Sequence, residues 1–104
     1  MKNYIFDYMR TIHEIRTELS NRRDHLFRAY PIKSLAIFGS YSRQENTDNS
    51  DLDILVEFND NIGIRFIDLA DEIESIVGIG VDLVSRNGIK EKYLKVIDPD
   101  LVYV

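Results

Sequence analysis

Asp51 and Asp53 stand two residues apart in the run SDLDILVEF, and Asp82 stands in a later apolar run, VDLV. Aspartate is depleted from strands, so two of them in one apolar run call for a reason. In an extended chain, residues two apart project from the same face, roughly 7 Å apart at the backbone. Like charges that close repel unless a cation stands beside them. Hard divalent cations such as Mg²⁺ take a few carboxylates together with substrate phosphates and water. If Asp82 lies on a neighbouring strand with its side chain on the same face, three carboxylates converge. That suffices for two-metal phosphoryl transfer, one ion holding a triphosphate and the other activating the attacking oxygen. Taken alone, Asp-x-Asp reads as the solvated edge of a strand and Asp82 as an ordinary exposed acid, because short motifs match often by chance.

Gly39-Ser40 changes that balance. Glycine permits a close backbone turn and leaves room for a ligand. Ser40 is placed to start a short helix, whose free N–H groups and positive dipole end favour phosphate. By itself the pair is an ordinary strand-to-helix turn with Ser40 as cap. The joint pattern carries the weight: a buried strand ending in Gly-Ser, ten residues, Asp-x-Asp in a strand, then a third aspartate in a later strand. A structural Ca²⁺ site would also use three acids, but it leaves the Gly-Ser turn without a purpose.

These residues need elements to hold them. Leu35, Ala36, Ile37 and Phe38 form an apolar run over 34–38, which reads as a central strand buried on both faces. Tyr41 to Glu45 allows one or two helical turns, and NTDNS over 46–50 is turn chemistry. Residues 51–58 alternate strictly, with Leu52, Ile54, Val56 and Phe58 on one face and Asp51, Asp53, Leu55 and Glu57 on the other. Ile64 to Val77 reads as an amphipathic helix burying Ile67, Ala70, Ile73 and Val77, stopped by Gly78 and Gly80. Residues 81–85 form a third strand, with Asp82 and Val84 on one face. Asn87-Gly88 is a turn, Ile89 to Ile97 a short helix before Pro99, and LVYV a final short strand. Upstream, Ile5, Met9, Ile12, Ile15 and Leu19 make one apolar stripe, which lapses at Asn21 to Arg23 and resumes at Leu26, Ala29 and Tyr30. Two helices, or one with a break, are expected, with Ser20 or Asn21 capping the restart and Pro31 closing the region.

The 104 residues fit a single domain, 1–104, with no internal repeat or linker. With 44% apolar and 30% charged residues the composition is globular. No apolar run approaches the ~20 residues of a membrane span, and the N-terminus lacks a signal-peptide core, so a cytoplasmic protein is expected. The absence of cysteine excludes disulfides, thiolate metal sites and a cysteine nucleophile. Residues 1–33 carry seven Lys/Arg against four Asp/Glu, a net of +3, whereas residues 34–104 carry a net of −8. So acidic a body argues against direct nucleic-acid binding and suits recruitment of divalent cations.

The pattern G-S-x10-D-x-D, here Gly39, Ser40, ten residues, Asp51, Leu52, Asp53, resembles the DNA polymerase β-like nucleotidyltransferase superfamily. Within it, FGSYSRQENTDNSDLDILVEF and VDLVSR look like the minimal nucleotidyltransferases that are paired with HEPN proteins. The resemblance covers roughly residues 11–104, leaving 1–10 as an extra helical lead-in. It implies an α/β (α+β) fold, a short mixed sheet with helices packed on it. It also implies Mg²⁺, as two ions, and a nucleoside triphosphate, usually ATP. By position Asp51 and Asp53 match the metal-binding pair. Asp82 matches a third carboxylate that holds metal and accepts the proton of the attacking hydroxyl. Gly39 and Ser40 match the turn that cradles the triphosphate, and Arg43 matches a basic position that reaches a phosphate or else pairs with Glu45 or Asp48. Many relatives have glycine after that arginine, where this chain has Gln44.

The resemblance further implies an antitoxin that silences a HEPN toxin encoded nearby, by forming a complex with it, by transferring AMP to one of its tyrosines, or both. The HEPN signature R-x4-6-H precedes neither His13 nor His25, so this chain is not the toxin half. Two alternatives stay open. One is neutralisation by binding alone, through the N-terminal stripe, the basic patch at Arg22, Arg23 and Arg28, and the tyrosines. The other is a small-molecule acceptor such as an aminoglycoside, for which larger relatives use an additional helical domain.

Overall fold

The strand that ends before Gly39 and the strand that carries Asp53 are hydrogen-bonded neighbours at the centre of one sheet. In the computed structural model, which describes residues 10–104, the elements run in this order: α1 (Ile12–Asn21), α2 (Arg23–Ala29), β1 (Ile32–Phe38), α3 (Gly39–Ser42), β2 (Leu52–Phe58), α4 (Arg65–Val77), β3 (Val81–Ser85), α5 (Glu91–Ile97) and β4 (Val102–Tyr103). Short 3-10 turns at Arg86–Gly88 and Asp98–Asp100 flank α5. The sheet order is β3-β2-β1-β4. β1 pairs antiparallel with β2 and β4, while β2 and β3 are parallel. A parallel pair requires a crossover, and α4 supplies it. The expected mixed sheet with packed helices is what the chain builds. The lead-in, with Ile5 and Met9 of the apolar stripe, lies outside the described residues.

One core joins the helices to one face of the sheet. It comprises Ile15 and Leu19 of α1, Leu26 of α2, Ile32, Leu35 and Ile37 of β1, Tyr41 of α3, Leu52, Ile54, Val56 and Phe58 of β2, and Leu69, Ile73 and Val77 of α4. The alternation read for residues 52–58 is present, and its second face is less wet than the pattern suggests. Leu55 is buried there, while Asp53 and Glu57 are half-buried. The aspartate is thus set beside apolar packing at the end of the strand.

Four local features differ from the expectations above. β1 begins at Ile32 rather than Ser34. Ile32 pairs with Phe58 and Ser34 with Glu57, so Lys33 is the extra residue of a bulge. The helical break falls at Arg22, whose backbone (φ −109°, ψ 5°) both ends α1 and starts α2 without a side-chain cap. Ser20 and Asn21 lie in the last turn of α1 and do not cap α2; the side-chain cap is at Thr11, in a box with Glu14. On α4, Ile67 is 65% exposed and the buried stripe is Leu69, Ile73 and Val77. Counting back from Ile73, the same face recurs at four and seven residues, Leu69 and Phe66; Ile67, six back, points away.

Glu72 of α4 ties α2 to the core. It accepts from the Tyr30 hydroxyl at 2.9 Å and lies 2.6 Å from His25 Nε2. Partial burial pushes the Glu72 carboxyl up, but the Tyr30 and His25 hydrogen bonds outweigh it and hold the group below its ordinary value. A carboxyl lowered by folding stabilises the fold above its unfolded pKa, near 4.3, and loses that contribution as pH falls through its folded value. Glu72→Gln is therefore expected to lower stability near pH 7, by under about 1 kcal/mol for so exposed a pair. Thermal melts at stepped pH check this: the gap from wild type should close in acid.

Candidate active site

Strand register brings the sequence motif together. Asp53 pairs with Phe38 on one side and with Asp82 on the other. Residues in register on adjacent strands share a face, with strands about 4.8 Å apart, so Asp53 and Asp82 stand side by side. Asp51 immediately precedes β2. The Leu52 N–H donates to the Gly80 carbonyl at 2.8 Å, which aligns Asp51 with Gly80 just ahead of β3. All three aspartates therefore lie at the same end of the parallel pair.

Two glycines make room for the carboxylates. Gly39 has φ +74°, a left-handed conformation, and a Cβ there would stand 2.1 Å from Asp53 Oδ2. A Cβ at Gly80 would stand 2.7 Å from Asp51 Oδ1. In the sequence Gly80 reads only as a helix stop; its pairing with Asp51 depends on the β2–β3 register. Because the added atom at Gly80 meets only the tip of the Asp51 side chain, Gly80→Ala should fold as wild type does and displace Asp51; if Asp51 holds a cation as the resemblance implies, Mg²⁺-dependent nucleotide binding should weaken about tenfold. Calorimetric titration with and without Mg²⁺ measures this directly.

The Asp53 carboxyl is pushed above its ordinary value, first by burial and then by the charges of Asp82 and Asp51, with Arg43 pulling it back. Among the described residues no three acidic or imidazole side chains already form a chelating group. The fit to a cation rests instead on the donor set, an oxygen-only trio of like charges whose mutual repulsion a divalent ion would relieve. Two clefts, about 400 Å³ beside Arg10, Gln44 and Asn46 and about 510 Å³ beside Phe58, Asp60 and Asn87, include none of the three aspartates. Carboxylate placement, not concavity, identifies the site.

The turn differs in detail from its sequence reading. α3 begins at Gly39, with Phe38 at the cap position and no side-chain cap bond, so Ser40 lies inside the helix and does not cap it. Arg43 pairs with Glu45 (Nε–Oε1, 3.1 Å) as anticipated, and with Asp100 (Nη1–Oδ2, 2.9 Å) rather than Asp48. The Ser42 hydroxyl donates to the Asp100 carbonyl. Neither Ser42 nor Asp100 stood out in the sequence, because their contact spans 58 residues. Gln44 takes φ +60°, the one positive φ at a non-glycine among the described residues. That conformation costs an L-residue roughly 1 kcal/mol. Gln44→Gly should therefore hold the same turn and gain about 0.5–1 kcal/mol, read by chemical denaturation. His13 and His25 are not part of the site: His13 is exposed and His25 engages Glu72.

Comparison with known proteins follows the same motif. The nucleotidyltransferase domain family matches residues 13–100. A provisionally named protein adenylyltransferase of Methanocaldococcus jannaschii is 46% identical over 98 residues, covering 92% of this chain and all of the relative. The protein adenylyltransferase MntA of Thermococcus cleftensis is 34% identical over 97 residues, covering 92% of this chain and 98% of its own length. Among solved structures, a toxin–antitoxin crystal structure with AMP-PNP is similar at TM-score 0.67 and 27% identity, over 80% of this chain and 69% of that one. A mutant MntA–HpeT toxin–antitoxin structure, with two aspartates two residues apart changed to glutamate, is similar at TM-score 0.65 and 26% identity, over 80% and 69% of the two chains.

Proposed function

This chain belongs to the nucleotidyltransferase domain family, as one of its minimal, MntA-like members, and we propose that it transfers AMP from ATP to a tyrosine hydroxyl of a HEPN-type toxin encoded nearby, acting in the cytoplasm as the antitoxin. The observation that carries the reading is the register of Asp53 with Asp82, with the Asp53 carboxylate in the space that a side chain at residue 39 would fill. The similarity to a toxin–antitoxin structure holding AMP-PNP supports a nucleotide substrate. The substituted aspartates of the neighbouring MntA–HpeT structure have the same two-residue spacing as Asp51 and Asp53.

In this reading Asp51, Asp53 and Asp82 would hold Mg²⁺, which when bound would supply charge neutralisation for the triphosphate and the departing pyrophosphate. The backbone of the Gly39-Ser40 turn would receive the phosphates, with Arg43 beside them, while the missing side chain at Gly39 leaves Asp53 its place. Asp82 takes the proton of the acceptor hydroxyl. The acceptor oxygen bonds to the α-phosphorus, the bond from that phosphorus to the β-bridging oxygen breaks, and pyrophosphate departs. Among the described residues no helix is long and apolar enough to cross a membrane.

Intact mass spectrometry of the purified chain mixed with its helical partner, Mg²⁺ and ATP tests the proposal. One or more AMP masses on the partner, absent with the Asp51→Asn, Asp53→Asn double variant, is the expected result. A tight complex with no mass gain would replace catalysis by neutralisation through binding. With neither gain nor complex, small-molecule hydroxyl acceptors become the better reading.

A further inference from the structure

The C-terminal turn reaches back to the residues that follow the Gly39-Ser40 turn. Asp100 meets the residues after Gly39-Ser40 at two points, its carboxylate on Arg43 Nη1 at 2.9 Å and its carbonyl on the Ser42 hydroxyl. Glu45 takes the Nε edge of the same guanidinium at 3.1 Å. Arginine has five N–H donors in a rigid plane, and these two contacts use one each. A long side chain that is 45% exposed would otherwise sample many rotamers. Held on two edges, its plane is fixed, and among the described residues three donors remain.

We propose that Asp100 is a positioning residue for nucleotide binding: it fixes the Arg43 guanidinium and, through Ser42, the corner that follows the Gly39-Ser40 turn, so that the remaining donors of Arg43 meet a triphosphate without first being ordered. The inference rests on the reading of Arg43 as a phosphate contact and adds to it a residue of the C-terminal segment. It assigns the Asp98-Pro99-Asp100 turn a purpose beyond ending α5. The opposite role, in which Asp100 withholds Arg43 from the nucleotide, makes the contrary prediction in sign.

The test is a double-mutant cycle on Kd for Mg²⁺·α,β-methylene-ATP, an analogue that cannot transfer AMP, using wild type, Asp100→Ala, Arg43→Ala and the double variant. Melting curves run alongside. Asp100→Ala should weaken binding about three- to fivefold, the scale of a partly exposed ion pair. It should add nothing when Arg43 is already alanine, which a merely structural role would not predict. Asp100→Asn keeps an acceptor and should recover part of the loss; it carries the cycle if the alanine variant does not fold. Unchanged or tighter binding in Asp100→Ala, or an equal loss in the Arg43→Ala background, overturns the inference and leaves the nucleotidyltransferase reading standing. If Arg43→Ala binds as wild type does, Arg43 is no phosphate contact and the inference falls with it. Wild-type protein that does not bind the analogue overturns both.

Discussion

Asp53→Asn is expected to stop AMP transfer, by a factor of about 10³ or more, while leaving the chain folded. Asp53 lies between Phe38 and Asp82 in register, half-buried, with its carboxylate against Gly39. Asparagine preserves shape and removes the charge that a metal-bound triphosphate requires. Stability should move the other way. Folding raises this carboxyl above its ordinary value, through burial and then the Asp82 and Asp51 charges. A carboxyl raised by folding costs stability once pH exceeds its unfolded pKa, near 3.9, and that cost disappears as pH falls back to it. In metal-free buffer at pH 7 the variant should therefore melt at or above the wild-type temperature, with the difference closing in acid. A variant that transfers AMP at the wild-type rate, or that unfolds, would contradict this role.

Gly39→Ala should combine both kinds of damage. The residue has φ +74°, and an added Cβ would meet Asp53 Oδ2 at 2.1 Å and Cγ at 3.0 Å. The left-handed backbone alone costs roughly 1–2 kcal/mol. Relief of the contact requires the Asp53 carboxylate to leave its place, so transfer should fall nearly as far as in Asp53→Asn. Gly78 is the control. It has φ +72° as the left-handed cap of α4, and among the described residues nothing lies within 4 Å of a Cβ there. Gly78→Ala should lose a similar increment of stability and keep its activity. Denaturation midpoints and transfer rates on the two variants separate strain from site disruption; equal activities would show that Gly39 serves the backbone only.

The strand, turn and strand that build the site were legible because each is local. A four-residue apolar run before Gly-Ser, strict alternation after it, and Gly78 as helix stop are patterns of period and turn chemistry, and the structure keeps them. Asp82 was legible as a candidate only through the joint pattern, and it took the β2–β3 register to set it beside Asp53. What escaped reading is long-range. Gly80 looks like punctuation until its alignment with Asp51 is known. Asp100 lies 57 residues from Arg43 and follows a proline that reads as a helix end. Spacing alone puts Ile67 in the core, where one residue's rotation of α4 decides between the pair Ile67 and Ala70 and the pair Phe66 and Leu69. Lys33 was lost to a bulge that alternation cannot foresee.

The central claim is that three aspartates at one end of a parallel strand pair form a cation-dependent nucleotide site. The most direct measurement is calorimetric binding of α,β-methylene-ATP to wild type and to the Asp51→Asn, Asp53→Asn double variant, each with Mg²⁺ and with EDTA. Binding by the wild type that requires Mg²⁺ and is lost in the double variant is the predicted result. Binding that is equal in both proteins, or indifferent to Mg²⁺, would contradict the account.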